Sequence, residues 1–126
     1  ILQYSGVDSL GTTGTISSTA GSTNLATNSI TTTVADELVV SFYEGSYAAS
    51  SITFTWTAPA STTSRVNSAQ TSTSNGLLVV DEIKTTAGLT TARTATVSSS
   101  TVLAAIAVSF QPTVATNGNF FFMMGM

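Results

Sequence analysis

The chain reads as an all-β domain, an antiparallel β-sandwich of jelly-roll or immunoglobulin-like type. Three observations predict this. Residues 102–110 (Val-Leu-Ala-Ala-Ile-Ala-Val-Ser-Phe) form the longest apolar run free of Gly and Pro, and the run alternates with period two. Charged residues make up only 7% of the chain while Ser and Thr fill roughly a third of it, so the charged surfaces of ordinary helices are missing and strand-favouring Thr is abundant. About eight strand-like stretches are separated by turn signals roughly every 8–12 residues, the rhythm of a sandwich. With 126 residues the chain is long enough for one domain with a real core.

The 102–110 run is expected to be the central strand. Ala and Leu would tolerate a helix, but Val102, Ala104, Ile106, Val108 and Phe110 share one face at strand spacing. The opposite face carries Leu103 with the small residues Ala105, Ala107 and Ser109, as suits a strand packed on both sides. Pro112 removes a backbone donor and ends the ladder.

In chain order, Ile1–Ser5 reads as a first strand, and Gly6 and Asp8 turn the chain. Ser9–Ser29 is low in complexity and reads as a long wrapping loop with one short strand at Gly14–Ser18. Ser29–Thr33 resumes a β pattern. Leu38–Glu44 is a strong strand with Leu38, Val40 and Phe42 on one face and Val39, Ser41 and Tyr43 on the other. Gly45–Ser51 is a loop. Ile52–Trp56 alternates, with Ile52, Phe54 and Trp56 facing inward, and Pro59 lies in the turn that ends it. Thr63–Ala69 is a strand anchored by Val66. Ser74-Asn75-Gly76 is a hairpin signal, because Asn-Gly accepts the positive φ of a type I′ turn. Leu77–Thr85 follows, Ala87-Gly88 turns the chain, and Ala92–Ser98 is a Thr-rich strand joined by Ser99-Ser100 to the central one. The sandwich spans residues 1–112, and 113–126 form a short linker and an apolar carboxyl-terminal segment.

That segment, Asn119-Phe120-Phe121-Phe122-Met123-Met124-Gly125-Met126, is unusual, since chain ends tend to be polar. Burying each such side chain is worth about 1.5–3 kcal/mol, so leaving them all in water is costly. It has three homes: the last strand of its own sandwich, a contact or strand pairing with a neighbouring subunit, or a membrane contact or unstructured end. Phe120, Phe121, Phe122, Met123, Met124 and Met126 are therefore candidate interface residues. The segment is too short to span a bilayer, and no apolar run approaches the roughly 18 residues of a membrane helix.

Inventory narrows the chemistry. The chain has no His and no Cys, which leaves no histidine base, no imidazole or thiolate metal ligand and no disulfide framework. Lys84 is the only Lys and is expected to face solvent. A net charge of −3 with three basic residues does not suit a nucleic-acid surface. Asp36-Glu37 and Asp81-Glu82 are neighbours on strands and so point to opposite faces; the expectation is that Asp36 caps a turn and that Asp81 or Glu82 meets Arg65, Arg93 or Lys84 across strands. A glycosidase pair or a calcium site is the less favoured use of these acids. No catalytic residue, cofactor or metal ligand is assigned. Trp56 and Tyr47 are candidate ligand contacts, Trp56 as a sugar-stacking platform or a core residue and Tyr47 from its loop.

Tyr4-Ser5-Gly6-Val7-Asp8, Ser29–Val40, Trp56-Thr57-Ala58-Pro59-Ala60, Val80-Asp81-Glu82 with Ala87-Gly88, and Ala92-Arg93-Thr94-Ala95-Thr96 together resemble a family of secreted bacterial and phage-associated β-sandwich domains. Its members carry a YSGV strand end, a TTxxADLLV strand, a WTxP turn and a TATxSSS strand in this order. The likeness covers most of residues 1–112 and implies the fold but no catalytic residues. It further implies that this stretch is the C-terminal part of a larger sandwich, its earlier strands removed or supplied by a neighbour. The resulting expectation is a non-catalytic structural subunit at an extracellular or virion surface, such as a phage head or tail decoration or a surface filament, assembling through strand edges and the apolar C-terminal tail. Its partners are copies of itself or other assembly subunits. The alternative is a carbohydrate-binding module whose partner is a glycan.

Overall fold

Nine antiparallel strands and no helix build the part of the chain that the computed structural model describes, residues 1–46, 53–69 and 75–113. They are β1 (Val7–Thr13), β2 (Ser17–Ala26), β3 (Thr31–Thr32), β4 (Glu37–Ser46), β5 (Trp56–Thr57), β6 (Thr63–Ser68), β7 (Gly76–Lys84), β8 (Gly88–Leu89) and β9 (Thr94–Pro112). Seven of them make one sheet, ordered β1-β9-β4-β7-β6, with β2 and β5 also paired to β9; β3 and β8 form a separate two-stranded sheet.

β9 is the axis of the molecule. Its 19 residues pair with β1, β2, β4 and β5. The segments expected at Ala92–Ser98 and 102–110 are one strand, with no break at Ser99-Ser100. Ser98 instead takes part in the ladder region by bonding Thr55: its amide donates to the Thr55 carbonyl at 3.1 Å, and its hydroxyl accepts the Thr55 amide at 3.0 Å. The strand does end at Pro112, which pairs with Val7.

The two sides of β9 are buried unequally. Ala95, Val97, Thr101, Leu103, Ala105, Ala107 and Ser109 are buried, whereas Val102 is 53% exposed and Ala104, Ile106, Val108 and Phe110 are half-buried. Volume explains the difference along the ring-bearing half. Against Ala95, Leu103 and Ala105 sit the rings of Tyr43, Phe54 and Trp56, with Leu25, Leu78, Val80 and Val97 around them in one cluster; Ala107 packs separately with Ile30 and Val39. Trp56 stands edge-on to Phe54 at 5.6 Å between centroids and lies 6.2 Å from Tyr43. Large rings on one layer require small side chains on the layer they meet.

A pair of glycines completes this fit. Gly45 and Gly76 are partners across β4 and β7. A Cβ on Gly45 would come within 2.5 Å of the Phe54 ring, and one on Gly76 within 2.6 Å. Trp56 pairs with Val97 near the start of β9, yet its indole also rests on these two glycines, so the sheet curls over its own inner side. Gly76 is thus a strand residue chosen for ring clearance, and the Asn75-Gly76 pair is not a two-residue turn: β6 ends at Ser68 and β7 begins at Gly76. The hairpin between β6 and β7 itself is present.

The amino-terminal third differs most from the expectation. Residues Ile1–Ser5 form no strand, and the low-complexity stretch read as a loop holds two strands, β1 and β2, with Gly14–Ile16 between them. Both lie along β9 and both contain register shifts. Their stability comes from backbone pairing rather than from apolar alternation, which is why a Ser/Thr/Gly pattern can serve. The β4, β6 and β7 strands fall close to their expected limits, and Phe54 and Trp56 point inward as expected. Ile52 lies outside the described residues.

Replacing Gly76 by Ala forces the new methyl into the Phe54 ring. The expected outcome is a loss of roughly 1–3 kcal/mol, typical of overpacking. In urea titration this appears as a lower midpoint at unchanged m-value. A midpoint equal to wild type would show that the ring clearance is not needed.

Candidate functional site

The side of the main sheet turned away from the core carries the larger apolar residues. The strand registers place Leu38, Val40, Phe42 and Glu44 of β4 on it. They stand beside Ile83, Asp81, Val79 and Leu77 of β7 and beside Phe110, Val108, Ile106 and Ala104 of β9. Leu10 of β1 is opposite Phe110, and Val66 of β6 is opposite Val79. The middle of this outer face is closed: Val40, Val79 and Asp81 are nearly inaccessible. Its two ends are open. Leu77 and Val102 are exposed at one end, Ile83 and Leu10 at the other, each by 40% or more.

Each end has a hollow. One, of about 220 Å³, is lined by Ile16, Phe42, Leu77, Ala104 and Ile106, with Glu44 at its side. The other, of about 240 Å³, lies under the amino-terminal segment Tyr4–Val7 and is lined by Leu38, Ile83 and Phe110 together with Asp36, Arg65 and Asp81. Tyr4 stacks on Phe110 at 6.5 Å. In this second hollow Arg65 Nε donates to Asp81 Oδ2 at 2.6 Å; the guanidinium side is half exposed and the carboxylate is not. The Tyr4 hydroxyl oxygen is buried without a hydrogen-bond partner; burial and the neighbouring Asp81 push its pKa up to about 12. Asp36, at the turn before β4, lines the same hollow.

The acids are spoken for elsewhere as well. Glu82 receives Arg93 in a two-point ion pair, Nε to Oε1 at 2.8 Å and Nη2 to Oε2. The expectation that Asp81 or Glu82 meets Arg65, Arg93 or Lys84 across strands holds for Arg65 of β6 with Asp81 of β7; Arg93, the partner of Glu82, lies just before β9 rather than in a strand. Asp36 sits in a turn at φ 60° immediately before β4. Among the described residues no group of three acids is placed to hold a metal ion. No helix there is long and apolar enough to cross a membrane.

Glu37, which the sequence did not single out, is the most buried carboxylate, at 0% exposure. Its Oε1 accepts the amides of Thr33 and Val34 at 2.6 and 3.0 Å and the Thr33 hydroxyl at 3.0 Å. This ties the turn before β4 to the sheet. Oε2 lacks a hydrogen bond of good geometry; the Ser109 hydroxyl beside it, which also accepts the Thr12 amide at 2.8 Å, helps to hold the charge. Burial alone would raise the Glu37 pKa, but the hydrogen bonds from Ser109, Val34 and Thr33 outweigh it and hold the group below its ordinary value. Gly11 leaves room for this arrangement, since a Cβ there would meet Ser109 Oγ and Glu37 Oε2 at about 2.5 Å. Glu37 is a structural staple rather than an acid awaiting substrate.

Of the candidates from the sequence, Trp56 is a core residue at 5% exposure, and its ring is covered by Phe54 and Tyr43. It is not a platform for a sugar. Tyr47 and the segment holding Phe120, Phe121, Phe122, Met123, Met124 and Met126 lie outside the described residues. The outer-face residues Phe42, Leu77, Val102 and Ile106 were not recognised as a surface, because apolar bulk at period two reads as core; no signal in one strand alone distinguishes the two sides. No family model, curated protein or solved structure matches the chain.

Because folding lowers the Glu37 pKa, its contribution to stability is complete above the ordinary value of 4.5 and drains away as the pH falls through the lowered one. The Glu37→Gln variant, with no charge to lose, is expected to show a flatter decline of melting temperature over that acid range. Glu37→Ala, which orphans the Thr33 and Val34 amides, is expected to lose roughly 1–3 kcal/mol per orphaned group at neutral pH. Parallel acid limbs for wild type and Glu37→Gln would remove Glu37 from this role.

Proposed function

We propose that the chain is a non-catalytic structural subunit of an extracellular or virion-surface assembly. The observation that carries this reading is the outer face of the main sheet. It has open apolar ends and two hollows, on a chain with few charges, whose two arginines are both paired with acids. Apolar surface of this kind, gathered on one side of a sheet, marks a place where protein meets protein. The fold reading that goes with it is a β-sandwich, jelly-roll or immunoglobulin-like, in which the curled start of β9 with β5 serves as the second layer.

Assembly through the face is favoured over assembly through strand edges. At one edge, β6 is polar, carries an irregularity between Ser64 and Val66, and points Arg65 toward Asp81. At the other, β1 has two register shifts. Irregular, polar edges of this sort discourage strand addition. The carbohydrate-binding alternative has lost its Trp56 platform to the core and has no support from the described residues.

A chain lacking Asn119–Met126 and a full chain with Val102→Asp and Leu77→Lys are the informative variants; Val102 and Leu77 are both exposed on the outer face. Under the assembly reading both are expected to shift a high-mass species seen by light scattering and electron microscopy toward single chains. Full-length protein that stays a single chain at high concentration would end the reading.

A further inference from the structure

We infer that the apolar hollow lined by Ile16, Phe42, Leu77, Ala104 and Ile106 is the seat of residues 119–126 of this chain, with Phe and Met side chains filling it. The inference deepens the assembly reading by naming where the tail docks, and it does not depend on which copy donates the segment.

Three features select this occupant. The first is reach. β9 ends at Pro112 on the same outer face, with Phe110, Val108, Ile106, Ala104 and Val102 leading back from that end to the hollow. Ile106 is six residues before Pro112, about 20 Å along a strand, and the 13 residues after Thr113 extend to roughly twice that length. The eight residues 119–126, if extended, run about 26 Å, the distance from Phe110 to Val102. Asn117 and Gly118, ahead of them, are residues that accept a reversal of direction.

The second is chemistry. Residues 114–126 contain no charge. The lining of the hollow is apolar apart from Glu44. The Glu44 carboxylate is held off by the Asn75 amide, whose Nδ2 donates to Oε1 at 2.7 Å. The hollow at the other end has a charged pair and is already roofed by Tyr4–Val7, so it is the poorer seat for Phe and Met. The third is shape. Ala104 is the smallest outward side chain of β9 and lies between the larger Ile106 and Val102, leaving a gap a ring or thioether can enter.

The absence of Cys makes the test direct. Ala104→Cys is combined with Phe122→Cys in the full chain, and disulfide formation under mild oxidant is timed by mass spectrometry. The control combines Ser100→Cys, exposed elsewhere on β9, with the same Phe122→Cys. Leu77→Cys with Met124→Cys is a second pair that reports on the same hollow should the first fold poorly. The expected result is bridging at least ten-fold faster in the hollow pairs than in the control. Fast bridging between chains supports both the seat and the assembly reading. Fast bridging within a single chain supports the seat and overturns assembly through the tail. Equal rates in hollow and control pairs, with or without a high-mass species, overturn the seat.

Discussion

The structure depends on one strand keeping its odd-numbered residues on one side for its whole length. From Ala95 to Ser109 the buried positions of β9 follow that parity, and four other strands hydrogen-bond to it. Slipping the register by one residue would turn Leu103 and Ala105 out and drive Val102 and Ile106 against the Tyr43 and Trp56 rings. Ala105 of β9 and the glycine pair of β4 and β7 answer to those rings. Ring volume, small facing residues and absent Cβ atoms are one constraint expressed three times.

The second constraint is how a chain with so few charges uses them. Asp81 and Glu82 stand next to each other on β7, so they leave the sheet on opposite sides, and each meets an arginine there. Arg93 does a further task through its backbone, whose carbonyl accepts the Tyr43 hydroxyl at 2.6 Å. Glu37 has no cationic partner and relies on two amides and a hydroxyl, the pattern by which a buried carboxylate stays charged. These groups fix loops and register.

Much of the fold was legible in the sequence, and the exceptions share a cause. Alternation located β4, β6 and β7, and the Asp81-Glu82 dipeptide announced the two ion pairs. Alternation does not say which side of a strand faces the core when both are apolar, and β9 has Leu103 and Ala105 on one side and Ile106 and Val108 on the other. The side was not legible, because the volume that decides it belongs to Phe54 and Trp56 some 50 residues earlier in the chain. β1 and β2 escaped notice because strands held by pairing to β9 need no apolar stripe. Glu37 was treated as half of an Asp-Glu turn, since nothing local reveals that Thr33, Val34 and Ser109 converge on it. The candidate site was hidden for the same reason as the parity of β9: its residues look like core until the rings are seen to occupy the other side.

That hidden surface determines how the functional argument runs. A sheet with a polar outer side would be complete once its rings were buried. Here the side opposite the rings still carries Leu38, Phe42, Ile106, Val108 and Phe110 in half-buried positions, with Leu10, Leu77, Ile83 and Val102 open around them. Selection for an isolated domain would favour Thr or Ser at such places, and this chain has both in abundance elsewhere. Ser41 on β4 and Ser109 on β9 occupy the inner side, where Ser109 is used to hold Glu37, while the apolar residues of the same strands are turned outward. Both sides of β4 and β9 therefore carry apolar residues, and the outer one is the kind of surface that a neighbouring protein can cover.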